Sequence, residues 1–137
     1  MRQRLRLLNE LMKFLKFWFP LILYSGIIYY VSSLPELSIP GKWKVDKVMH
    51  VTEYLPFGFL TARALGSSGW KWFWAVPAAV LFRVLYGLTD EFHQLSVLGR
   101  SCDVFDVVAD AVGGTGGALI FLLTSKRRKV EGTHDAY

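Results

Sequence analysis

Between Phe17 and Val31 the chain carries no charged residue, and from Val104 through Leu123 it carries only two, Asp106 and Asp110. Runs of this kind constrain the fold more than any other feature, because a helix crossing a ~30 Å hydrocarbon core needs roughly 20 mostly apolar residues. Two more apolar stretches lie between them, and the sequence predicts an all-α fold, a four-helix transmembrane bundle. The helices are expected at about Phe14–Ser33, Asp46–Leu65, Trp70–Thr89 and Asp103–Thr124. Pro35, Pro40 and Gly41 mark the first loop, and Gly66-Ser67-Ser68-Gly69 marks the second. Pro20 near the start of the first helix is tolerable, whereas Pro56 and Pro77 are expected to kink the second and third, since proline lacks the backbone donor of a helix interior. At 137 residues the chain is one domain. Residues 1–13 read as a basic cytoplasmic leader, 14–124 as the membrane domain, and 125–137 as a basic, mobile cytoplasmic tail.

A basic leader before an apolar stretch resembles a signal peptide. This stretch is long and crowded with Trp18, Tyr24, Tyr29 and Tyr30, which favours a retained helix. The net charge of +5 comes largely from the ends: Arg2, Arg4, Arg6, Lys13 and Lys16 before the first run, and Lys126, Arg127, Arg128 and Lys129 after the last. Basic residues flanking apolar spans follow the positive-inside rule, so they argue for membrane topology and anionic lipid rather than nucleic acid. Both termini are then cytoplasmic, and the loops after the first and third helices face outward. Trp43, Trp70, Trp72 and Trp74 fall near the expected interfaces, as aromatic belts do. The single cysteine, Cys102, excludes an intrachain disulfide and any cysteine-based metal motif.

Ionisable groups at membrane depth are costly and are normally paired or functional. Here they gather near the outer ends of three helices. Asp46, His50 and Glu53 share one face of the second helix, with Lys47 beside them. Asp90, Glu91, His93 and Gln94 close the third. Asp103, Asp106 and Asp110 share one face at the start of the fourth. That face continues into Gly113 and Gly117, a small-xxx-small pattern that lets another helix approach closely. At ~1.5 Å rise per residue, Glu53, Arg83 and Asp110 each lie roughly 10 Å below the outer ends of their helices. A structural ion-pair network of Glu53, Arg83 and Asp110 is therefore expected, with Arg83 touching Asp110 in preference to Glu53.

The outer ring supports several chemistries. Carboxylates with His50 or His93 are ligand types for a divalent metal, or a histidine base with an orienting carboxylate. Arg100 with Lys47 suits a phosphate or carboxylate. Neither a zinc-protease helix motif, nor a nucleophile elbow, nor a strand-linked phosphate loop is present. No cofactor is expected, and the residues leave open whether there is catalysis and whether a metal binds.

With these residues in view, the chain resembles the VanZ-like family. The resemblance rests on Asp46-Lys47-x-x-His50-x-x-x-Tyr54, then Asp90-Glu91-x-His93-Gln94, then Gly99-Arg100-Ser101-x-Asp103-x-x-Asp106, the position of Asp110, and a glycine-rich helix. It implies a four-helix membrane fold with an outward polar site. The expected substrate-binding set is Asp46, Lys47, His50, Tyr54, Asp90, Glu91, His93, Gln94, Arg100, Asp103 and Asp106. The family takes its name from a protein associated with resistance to glycopeptides, chiefly teicoplanin. Where the family more often has Asn, this chain has Asp110, which adds a negative charge with Arg83 as the candidate counter-charge. The expected function is binding of a lipid headgroup or cell-wall precursor at the outer face. A membrane-embedded hydrolase or transferase acting on a lipid, metal-assisted or not, is one alternative, and a structural assembly partner is another.

Overall fold

The computed structural model of the chain describes residues 1–35, 42–100 and 103–134, and their side chains apart from those of 42–44 and 126–134. The expectations for Pro40, Gly41 and Cys102, and for the side chain of Trp43, lie outside the described residues. Among those described the structure is helical throughout: α1 (Arg2–Lys13), a π-helical turn (Phe14–Trp18), α2 (Phe19–Ser32), α3 (Lys42–Ser67), α4 (Trp72–Gln94) and α5 (Val104–His134). Three stretches are long and apolar enough to cross a membrane, Arg2–Ser32, Trp72–Gln94 and Val104–Ser125.

The helices exceed the sequence expectation at several ends. The leader is helical and runs into α2 through the π turn, where the backbone N–H of Phe19 reaches the carbonyl of Phe14. Pro20 follows at once, and its ring has no N–H to offer the carbonyl of Lys16, so the preceding turn widens. Pro56 and Pro77 are accommodated inside uninterrupted helices. The expected end of the third helix at Thr89 moves to Gln94, which puts Asp90, Glu91, His93 and Gln94 on the last turns of α4. The tail expected to be mobile from 125 continues α5 as far as His134.

From α2 to α5 successive helices alternate in direction. Residue pairing runs parallel between α3 and α5, as Phe59 meets Phe121 at the end far from His50 and Asp110. α3 and α5 are also the closest pair. A Cβ at Gly113 would run into the carbonyl of Val51, one at Gly117 into that of Leu55, and one at Gly58 into the backbone of Gly114. The small-xxx-small face expected from sequence is therefore where the two backbones meet. α4 locks onto α5 side chain to backbone: Arg83 lies over Gly114, and Asp110 of α5 lies against Gly87 of α4. α2 closes the bundle with Leu21 and Ile28, which join Tyr54, Phe57 and Ala64 in the core.

The distribution of side chains is inverted relative to a water-soluble bundle. Arg83, Glu91, Asp106 and Asp110 are buried, while Ile22, Leu23, Ile27, Leu81, Leu85, Val108, Val112 and Leu123 are exposed. Apolar residues outside and charged residues inside is the arrangement expected of helices surrounded by hydrocarbon.

Candidate functional site

The first two turns of α3 and the start of α5 run side by side, so residues three and four apart on each present one polar strip to the other. Lys47 stands at the centre. Its ammonium donates to Asp106, to Asp103 at 2.7 Å and to Asp46 at 3.4 Å. One turn deeper, His50 Nδ1 lies 2.8 Å from Asp110 Oδ1, while Nε2 faces Asp106 Oδ1 at 3.6 Å and Asp46 Oδ1 at 3.9 Å. Four carboxylates thus surround one ammonium and one imidazole. A buried ion pair recovers its desolvation cost only when well hydrogen-bonded, so the cluster is a weak argument for stability and a better one for a role at this position.

The end of α4 is tied to the start of α5 beside the cluster. Glu91 Oε2 accepts the backbone N–H of Asp103 at 2.9 Å, and Asp103 Oδ1 caps α5 by accepting the N–H of Phe105 at 2.9 Å. The hydrogen bond from the Lys47 ammonium, with that from Phe105, holds the Asp103 carboxyl below its ordinary value. Arg100 lies in this turn, half-buried, with its Nε buried and without a hydrogen-bond partner among the described residues.

The remaining expected site residues point elsewhere. Asp90, His93 and Gln94 turn to α2: Gln94 Nε2 donates to Ser32 Oγ at 3.0 Å and to Asp90 at 3.1 Å, and His93 Nε2 meets Ser33 Oγ at 2.9 Å. The His93 ring also stacks on Tyr29, with centroids 4.5 Å apart. Tyr54 is fully buried beside Phe57 and Tyr86. Glu53 is half-buried, and its backbone carbonyl accepts the Tyr24 hydroxyl at 2.8 Å.

The expected Arg83–Asp110 ion pair does not form. Asp110 gives one oxygen to His50 and its Oδ2 has no hydrogen-bond partner, while Arg83 is fully buried with none of its three guanidinium nitrogens hydrogen-bonded among the described residues. The helix register explains this. Because Arg83 sits over Gly114 and Asp110 against Gly87, the two side chains are offset by one helical turn, roughly 5–6 Å. Equal distance from the helix ends did not translate into equal depth. Arg83 instead lies over the Tyr54 ring, 5.6 Å from its centroid. The hydroxyl contacts of Ser32, Ser33 and Tyr24 were not singled out from sequence, since such residues are ordinary within an apolar helix and only packing gives them partners.

The motif residues that converge are Asp46, Lys47 and His50 of α3 with Asp103, Asp106 and Asp110 at the start of α5, and Glu91 near the end of α4 reaches the backbone of Asp103. The model of the VanZ/LLP1 family matches residues 2–125, which takes in every one of them. The chain belongs to the VanZ/LLP1 family. No curated protein and no solved structure matches it. Within this VanZ/LLP1 chain, then, the family motifs separate into two groups. One is a charged strip between α3 and α5, and the other is a set of hydrogen bonds from α4 to α2.

Proposed function

We propose that this VanZ/LLP1 protein spans the membrane four times with both termini cytoplasmic, and that the α3–α5 charged strip receives the phosphate-bearing headgroup of a lipid or lipid-linked cell-wall precursor at the outer face. α3 serves as the fourth span because its charged residues turn inward while Val48, Met49 and Leu55 face out. Basic residues at both ends set the orientation. The observation that carries the binding role is Arg100: a half-buried guanidinium in the turn after α4 whose buried Nε has no hydrogen-bond partner among the described residues, a donor that suits a phosphate. A link to glycopeptide (teicoplanin) resistance fits this role, since a protein that holds a wall precursor at the outer leaflet changes what a glycopeptide can reach.

The test is thermal unfolding of the purified chain in neutral detergent with added lipid. Phosphatidylglycerol is expected to raise the melting temperature, and diacylglycerol with the same acyl chains is not. Equal shifts with both would remove the headgroup from the account. Orientation is checked by labelling the native Cys102 with a membrane-impermeant thiol reagent. Labelling in intact cells is expected, and labelling confined to permeabilised cells would reverse the topology.

A second reading, a lipid hydrolase or transferase, draws on the contact between His50 and the buried Asp110, because a carboxylate that orients an imidazole is half of a general-base arrangement. Turnover of a lipid phosphoester lost in His50→Gln would favour it over simple binding.

A further inference from the structure

We propose that Asp46, His50 and Asp106 form a binding site for a divalent transition-metal ion, with His50 held in register by Asp110. This goes beyond headgroup binding and stands whether or not a headgroup is received.

The argument begins at the far nitrogen of His50. An ionised carboxylate only accepts hydrogen bonds, so the 2.8 Å contact between His50 Nδ1 and Asp110 Oδ1 places the imidazole proton on Nδ1. The far nitrogen, Nε2, then faces two carboxylate oxygens, Asp106 Oδ1 at 3.6 Å and Asp46 Oδ1 at 3.9 Å. These separations are too long for hydrogen bonds. They leave the three atoms facing one another inside a bundle where His50 is 5% exposed and Asp106 is 3% exposed, with the Lys47 ammonium on the same Asp106 oxygen. A metal ion bound among the three atoms takes the place of any Nε2 proton and shares the Asp106 carboxylate with Lys47.

The spacing has the right scale. Zinc-type bonds to imidazole nitrogen and carboxylate oxygen are about 2.0–2.2 Å, so two ligands on one tetrahedral ion stand roughly 3.4 Å apart. One ligand atom from each of Asp46, His50 and Asp106 lies within 4.8 Å of the other two, so a small inward movement of the Asp46–Asp106 pair closes the site. One imidazole and two carboxylates, without thiolate, suit zinc, manganese or cobalt better than copper(I). Asp110 supplies what metal-binding histidines regularly have, a carboxylate on the opposite ring nitrogen that fixes tautomer and orientation. Its Oδ1 is taken up by the His50 ring, so it orients the ring and is not one of the three ligands.

Lys47 does not displace this assignment. Its ammonium bridges Asp46 and Asp106 through hydrogen bonds and offsets one of the four negative charges. It also repels a metal, which sets the affinity rather than the geometry. Removing that charge is therefore expected to tighten metal binding, an effect that a purely structural network would not produce.

The experiment uses the purified full chain in detergent, with Zn2+ titrated by calorimetry and Co2+ followed by its visible absorption, in the absence of added phospholipid. The expected result is one ion per chain, at least tenfold weaker in His50→Gln and in Asp106→Asn, and about tenfold tighter in Lys47→Met. Asp110→Asn should weaken binding by about tenfold, the usual effect of losing a histidine's outer partner, while leaving the Co2+ spectrum at saturation unchanged. Monodispersity and the thermal melt identify any variant that fails to fold, and Asp46→Asn then replaces it. Absence of binding in both the folded wild type and Lys47→Met would overturn the site. So would stoichiometric binding that His50→Gln leaves undiminished.

Discussion

The contact between α3 and α5 differs in kind from the contacts that hold α2. In the first, glycines bring backbone to backbone, at Gly113 with Val51 and at Gly117 with Leu55. In the second, side chains reach across to single acceptors: Tyr24 to the carbonyl of Glu53 at 2.8 Å, Tyr86 to the carbonyl of Ser25 at 2.6 Å, and Gln94 to Ser32 at 3.0 Å. The glycine contact has no slack, because any added atom meets main chain. The α2 contacts are separable, and each can be lost without moving a helix. The charged strip is built on the rigid pair. Its geometry is therefore inherited from the glycines rather than from the salt bridges themselves.

The sharpest way to break this comparison is bulk at the glycine seam. Gly117→Leu drives a side chain into the Leu55 carbonyl, and forced overpacking typically costs about 1–3 kcal/mol or more. The folded fraction after detergent challenge should collapse. A variant that melts like the wild type would mean that the two helices are not so close.

Arg83 separates packing from charge. A buried guanidinium that lies over the Tyr54 ring but makes no hydrogen bond among the described residues carries a desolvation cost, so Arg83→Met should be neutral or stabilising by about 1 kcal/mol in the same assay. A loss of about 3–5 kcal/mol, the usual result of breaking a buried pair, would restore the ion pair with Asp110 expected from sequence. Tyr86→Phe removes one hydrogen bond to α2 and should cost about 0.6–1 kcal/mol, with the charged strip undisturbed. A cost of several kcal/mol would make α2 part of the rigid unit.

The smallest effect expected is in acid. Asp103 is held below its ordinary pKa by Lys47 and Phe105, so its contribution is present above the unfolded-state value and is lost as pH falls through the lower folded value. Asp103→Asn should lower stability slightly at neutral pH and flatten the part of the profile below about pH 4, where the wild type loses the same contribution. A loss that persists undiminished below about pH 4 would assign Asp103 its part through the cap on α5 rather than through its charge.

Much of this was legible in the sequence. The apolar runs gave the helices, and the spacing of Asp46 with His50, and of Asp103 with Asp106 and Asp110, put each set on one face. Gly113 and Gly117 identified the close seam. What spacing along one helix does not contain is the register between helices. Arg83 and Asp110 were level by count but fall one turn apart because side chain meets glycine in both directions. Likewise Asp90, His93 and Gln94 belong to the same motif as Glu91, yet a 100° rotation per residue turns them towards α2. Helix length was underestimated at both chain ends because charge density marks where lipid ends, whereas backbone hydrogen bonding continues into polar residues.

The central claim is that the charged strip receives a ligand and does not merely brace the bundle. Native mass spectrometry of Arg100→Ala beside the wild type, each released from phosphatidylglycerol-containing nanodiscs and each with its melting temperature recorded, tests that claim most directly. The account predicts that the variant melts within a degree or two of the wild type in lipid-free detergent and loses the bound anionic lipid. A variant that keeps the lipid, or one whose lipid loss is matched by a collapse in melting temperature, would contradict it.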